Sequence, residues 1–190
     1  MNFEFWNECK SQDEQVQQHY EKMSKFLTAA EQDYWQKPVR CAMQLEKAAR
    51  EICLVYNHVY ELEFSEEAGL PDMLCYSGDD VHDANVSKFL CAVSDEQRNQ
   101  LNQIRALGEE CIFLEENPQH RDAQDDKLYL NVKKMMIAMM NCLEHLLLAV
   151  ERRTDFEHLE FDEDEVPGEP LPQPAVVTKK KSFWQKLHKK

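Results

Sequence analysis

Apolar residues recur along this chain with the period of an α-helix. Val16, Tyr20, Met23, Leu27 and Ala30 follow one another at spacings of 4, 3, 4 and 3, which places them on one stripe. Ser11 and Glu14, in the order S-x-x-E, predict the start of that first helix, because each side chain can satisfy an unpaired amide of the other. Pro38 suits the first turn of a second helix, where its missing N–H is no loss. Leu45, Ala48, Ala49, Ile52, Val55, Tyr56 and Val59 then repeat to about Glu61 over so wide an arc that this helix belongs at the centre. Ser94 and Gln97 form a second capping box, opening a helix through Leu101, Ile104, Leu107, Cys111 and Leu114 that stops at Asn117-Pro118.

The last helix is predicted from about Asp122 to Arg153. Leu128, Val132, Met135, Met139, Cys142, Leu146 and Val150 form its stripe, and Met136, Met140, Leu143 and Leu147 widen it. Its acidic start (Asp122, Asp125, Asp126) and basic end (Arg152, Arg153) match the polarity of the helix dipole. The stripe is broad enough to be shared between a core and a partner or second copy, and the adaptable methionines Met135, Met136, Met139 and Met140 suit either use.

Elsewhere the period is lost. Residues 63–83 carry Gly69, Pro71, Ser77, Gly78, Asp79 and Asp80, which mark turns, and a short helix at about 84–92 (Val86, Phe89, Leu90) follows. A connection of this length is uncommon in a compact domain. The pattern therefore predicts an all-α fold: an up-and-down bundle of four main helices, with a long loop between the second and third and a disordered C-terminal tail. Its expected parts are an aromatic leader over 1–10 (Phe3, Phe5, Trp6) packed on the bundle, a helical bundle domain over 11–154, an acidic and Pro-rich linker over 155–178, and a basic amphipathic tail over 179–190.

Composition supports helices and changes the picture at the C-terminal end. Apolar residues make up 43% of the chain, and only four glycines are present, little turn material for a sheet of many strands. The tail KKKSFWQKLHKK has six lysines and no acid; the remaining 16 basic residues face 36 acids over residues 1–178, a net of −20. Such a body repels polyanions at long range, so contact with an anionic membrane or nucleic acid has to go through the tail. Between the two, Asp155 to Pro170 carries eight acids and no lysine or arginine, and Pro167, Pro170, Pro172 and Pro174 stiffen the strip.

Three uses of the tail compete. Lys179, Lys180, Lys181, Lys186, Lys189 and Lys190, with Phe183, Trp184 and Leu187, could hold an anionic membrane, each lysine contributing about 1 kcal/mol. They could instead bind nucleic acid with Trp184 stacking on a base. Or they could fold back on Asp155–Glu169, or dock on an acidic protein. No apolar run approaches the roughly 20 residues that span a bilayer, and the first thirty residues lack the pattern of a secretory signal. Seven cysteines, an odd number with no CxxC, sit mostly at apolar helical positions and point to reduced thiols in the cytoplasm.

Candidate chemistry is sparse. Cys75, Asp79, Asp80, His82 and Asp83 share the irregular loop, but without a metal-ligand spacing they read as a solvated acidic loop. His145, beside Glu144, reads as a paired or surface histidine. Neither a Gly-rich phosphate loop nor a nucleophile elbow occurs, so no cofactor, metal or small-molecule substrate is expected.

Two segments carry a resemblance. Gln44-Leu45-Glu46-Lys47-Ala48-Ala49-Arg50-Glu51-Ile52-Cys53 resembles the long second helix of HEPN-like bacterial domains, found alone and attached to restriction-enzyme subunits. Leu101-Asn102-Gln103-Ile104-Arg105-Ala106-Leu107-Gly108-Glu109 is similar to that family's helix of leucine, isoleucine-arginine and glycine-asparagine, which ends in a histidine. The resemblance covers roughly residues 35–153 and implies a helical domain whose active members are ribonucleases. This chain departs from it at two decisive positions, with Glu109 in place of the asparagine and Phe113 in place of the histidine. Without the histidine, proton transfer at an RNA 2′-oxygen loses its usual agent.

Arg153 and His158 repeat the family's R-x4-H spacing, but acids surround them, and five helical steps set them about 140° apart. The expectation is thus a non-enzymatic protein-interaction or regulatory module, dimeric through one helix face, with the tail as docking element. A ribonuclease or RNA-binding protein of a defence or toxin–antitoxin system, using Arg105 or Arg153 and His158, is the alternative. A peripheral membrane adaptor is a third.

Overall fold

The computed structural model describes residues 3–117 and 121–157. The order is a 3-10 turn at Glu4–Glu8, then α1 (Glu14–Asp33), α2 (Pro38–Val59), α3 (Leu70–Leu74), α4 (Asp80–Ala92), α5 (Asp95–Glu116) and α6 (Arg121–Glu157). The long helices α1, α2, α5 and α6 form the all-helical bundle. The acidic strip beyond Glu157 and the basic tail lie outside the described residues.

α1 begins two residues later than the S-x-x-E pattern implies. Asp13 is its cap, accepting hydrogen bonds from the amides of Gln15 (2.9 Å) and Val16 (3.1 Å), while the Ser11 hydroxyl accepts from the Asp13 amide at 3.2 Å. A charged carboxylate at a helix N-terminus satisfies first-turn amides and also favours the dipole. α1 turns back on α2 as an antiparallel hairpin, tied by Asp33–Arg40 (3.0 Å) near the turn and Asp13–His58 (2.8 Å) at the far end.

Pro38 opens α2 as expected, and the helix lies at the centre, with Leu45, Ala48, Ala49, Ile52 and Val55 fully buried. Its end is a Schellman turn. The Glu61 amide donates to the His58 carbonyl (3.2 Å) and the Leu62 amide to the Asn57 carbonyl (2.8 Å), with Glu61 in the left-handed region at φ 51°.

The long connection after α2 is built rather than loose. Asn57 clamps Phe64 through both amide atoms (3.1 Å each), and α3 and α4 bury Leu70, Met73, Leu74, Val86 and Phe89. α4 starts at Asp80, earlier than the expected position near 84, because the Asp79 carboxylate caps it through the amides of Val81 and His82. The aromatic leader packs as expected: Trp6 is buried and donates its indole N–H to the Tyr20 carbonyl at 3.2 Å.

α5 and α6 run antiparallel, matched at Gln97 Nε2 to the Cys142 carbonyl (3.3 Å), Glu96–His145 (3.4 Å) and Glu110–Lys127 (2.5 Å). Ser94 caps α5 through the Gln97 amide (3.1 Å), but the Gln97 side chain crosses to α6 instead of returning to the cap. The buried stripe of α5 passes through Gly108, not Leu107 or Leu114, which are half-buried. The reason is steric. A Cβ at Gly108 would lie 3.2 Å from Glu46 Oε2 and 3.6 Å from Met135 Cε, so three helices meet where only a hydrogen fits comfortably. α6 continues past Arg152 and Arg153 to Glu157, and its last turn holds no basic residue, so the expected dipole match exists at neither arginine. Among the described residues no helix is long and apolar enough to cross a membrane.

Candidate interaction site

Segments 44–53 of α2 and 101–109 of α5 meet in space. Glu46 of α2 lies against Gly108 of α5, one residue from Glu109. Arg105, one turn earlier on α5, donates to Glu109 Oε1 at 2.8 Å, an i,i+4 pair along the helix. Burial pushes the Glu46 carboxyl above its usual range and the nearby Glu109 charge pushes it further, with Arg105 opposing. One guanidinium therefore answers two carboxylates, and the local charge is negative. One turn beyond Glu109, Phe113 is 60% exposed. Of the other candidates, Arg153 falls on α6, where only the backbone is described; His158 and every residue of the basic tail lie outside the described residues.

A polar node that sequence reasoning missed joins α1, α2 and the long connection. Glu51 is only 3% exposed. Its Oε2 accepts from His19 Nδ1 at 2.7 Å, with Lys22 Nζ at 3.9 Å, and its Oε1 accepts from Arg50 at 3.0 Å. Arg50 also donates to the carbonyls of Ala68 (2.7 Å) and Glu66. Adjacent residues on α2 thus bind the neighbouring helix on one side and the loop on the other. A buried carboxylate is tolerable only with partners of this kind. The signal was present: His19 falls within the apolar stripe of α1 and Glu51 within the apolar arc of α2.

The loop with Cys75, His82 and the aspartates is an internal staple. Asp83 accepts from the amides of Ser77 (2.7 Å) and Gly78 (3.1 Å), which draw its carboxyl below the ordinary range. His82 pairs with Asp83 Oδ1 at 3.3 Å and donates from Nε2 to the Asp72 carbonyl at 2.7 Å, and the Asp83 bond raises its basicity. Among the described residues no cluster of His, Cys, Asp or Glu is disposed to hold a metal ion.

The cysteines divide by position. Cys41, Cys53, Cys111 and Cys142 are buried, and burial pushes the Cys41 and Cys111 thiols up to about 12 and the other two upward as well. These four are packing groups that stay protonated. His145 makes the surface pairing expected for it, with Glu96.

The remaining feature is the outer side of α6. Val132, Met135, Met139, Cys142, Leu143 and Leu146 are buried in the bundle, so the core takes one side of the methionine-rich stripe. Leu130, Ile137 and Leu148 project from the other side, 50%, 43% and 45% exposed. No family model, curated protein or solved structure matches this chain.

Proposed function

We propose that the chain is a non-catalytic interaction module: a helical body that presents docking faces, with the lysine-rich segment 179–190 as a charge-driven contact for an acidic protein partner. The observation that carries this reading is the fate of Arg105. It is held by Glu109 beside a half-buried Glu46, with Phe113 in the next turn, and this arrangement repels a phosphate and sets a phenyl ring, in place of an imidazole, one turn beyond Glu109. The HEPN-like build, with its ribonuclease residues replaced, is part of the same proposal, as is self-association through a helix face.

The test is affinity capture with the full chain and with residues 179–190 deleted, analysed for protein, RNA and lipid. The expected result is a protein partner held by the full chain and lost on deletion. Capture unchanged by the deletion contradicts the docking role. Degradation of RNA by the purified chain, abolished by Arg105→Ala, Arg153→Ala or His158→Ala, contradicts the non-catalytic reading.

A further inference from the structure

α6 carries more apolar surface than the bundle uses. At about 100° per residue, its buried residues Val132, Met135, Met139, Cys142 and Leu146 centre on one side, and Leu130, Ile137 and Leu148 fall on the opposite side. Single exposed apolar residues need no explanation, but these three align. Positions 130, 134, 137, 141, 144 and 148 follow spacings of 4, 3, 4, 3 and 4, the seam of a helix pair, and read Leu, Lys, Ile, Asn, Glu, Leu. The stripe spans roughly 27 Å at 1.5 Å per residue.

This order is self-complementary. Set against itself antiparallel, with the two-fold axis level with Met139, Leu130 meets Leu148 of the second copy, Ile137 meets Asn141 of the second copy, and Lys134 meets Glu144 of the second copy. Each pairing then occurs twice, as a two-fold interface requires. A parallel pairing in register would set lysine against lysine and glutamate against glutamate, so the charges select the antiparallel arrangement. Asn141 at the seam costs affinity and fixes the register. Lys134 already feels Glu110 of its own α5, but Glu110 bonds directly to Lys127 and Asn131, which leaves the Lys134 ammonium on an exposed side chain.

We infer that the outer face of α6 is a dimer interface between two copies of this chain, antiparallel about Met139, with Lys134 and Glu144 as its reciprocal charge pairs. The inference rests on the reading of the chain as an interaction module and gives its self-association a surface and a register. The apolar area is small, so the dimer is weak, with a dissociation constant in the micromolar range.

The experiment is sedimentation equilibrium of the full chain at about 10 to 200 µM, for the parent, Lys134→Glu, Glu144→Lys and the double variant. Two pairs change sign in each single variant, and dimer affinity should fall about tenfold. The double variant restores opposite charges and should recover most of that loss, which a folding defect would not allow. A parent chain that stays monomeric over this range overturns the proposal, as does a dimer indifferent to the single changes or not restored by the double. A monomer that still captures a partner through 179–190 would sink the dimer and leave the docking reading intact; a charge-dependent dimer that captures nothing would do the reverse.

Discussion

Ile52 and Ile137 occupy helices of similar apolar richness, yet their surroundings are opposite. Ile52 is sealed on α2, where neighbours cover most of the helix circumference and even a glutamate, Glu51, is enclosed. Ile137 faces outward on α6, 43% exposed, opposite a side that is fully packed. The bundle consumes one helix and leaves half of another unspent. A central helix is enclosed on most sides, whereas a peripheral one can carry apolar residues on its outer side as well.

The largest separation is expected from the same truncation at both sites. Ile52→Ala should cost about 2–5 kcal/mol in urea denaturation, because it removes buried methylenes and leaves a cavity. Ile137→Ala, measured at a concentration where the chain is monomeric, should cost less than about 0.5 kcal/mol. Equal losses would erase the contrast between the two helices. Next in size is Glu51→Ala, which strands His19 and Arg50 beside a buried void. A loss of about 3 kcal/mol is expected, with faster hydrogen exchange over residues 62–70 as Arg50 loses its anchor. Unchanged exchange there would separate the node from the loop.

A subtler effect concerns Glu46. Its carboxyl is raised in the folded chain above 4.5, its unperturbed value, so folding takes up protons between that value and the higher folded one. The sign follows: the ionised carboxylate costs stability at neutral pH, and the cost disappears as pH falls toward 4.5. Glu46→Gln should therefore raise Tm at pH 7 and lose that advantage near pH 4.5. A gain independent of pH would point away from ionisation. Smallest is Glu61→Gly, expected to add about 0.5–1 kcal/mol by relieving the left-handed turn at the end of α2, as measured by thermal unfolding.

Much of the fold was legible from periodicity. The α1 stripe, the central α2 with Pro38 at its head, the Ser94 start of α5 and the methionine face of α6 are all local patterns that tertiary packing respects. What escaped depends on partners distant in sequence. The buried line of α5 runs through Gly108 because α2 and α6 approach there, and no count along α5 alone reveals that. The His19–Glu51 pair looks like two interruptions of apolar stripes until the hairpin brings them to 2.7 Å. Asp13 rather than Ser11 caps α1, because its carboxylate takes the amides of Gln15 and Val16 while the Ser11 hydroxyl takes the Asp13 amide before the helix. The position of α3 and the early start of α4 depend on turn contacts that leave little periodic trace.

Whether the spare face of α6 joins two copies is most directly read by photo-cross-linking. With p-benzoylphenylalanine in place of Asn141, irradiation of the full chain should give an interchain product whose attachment, mapped by mass spectrometry, falls at or beside Ile137 of the other copy. Attachment only within the same chain, or to a second chain far from that position, would contradict the arrangement.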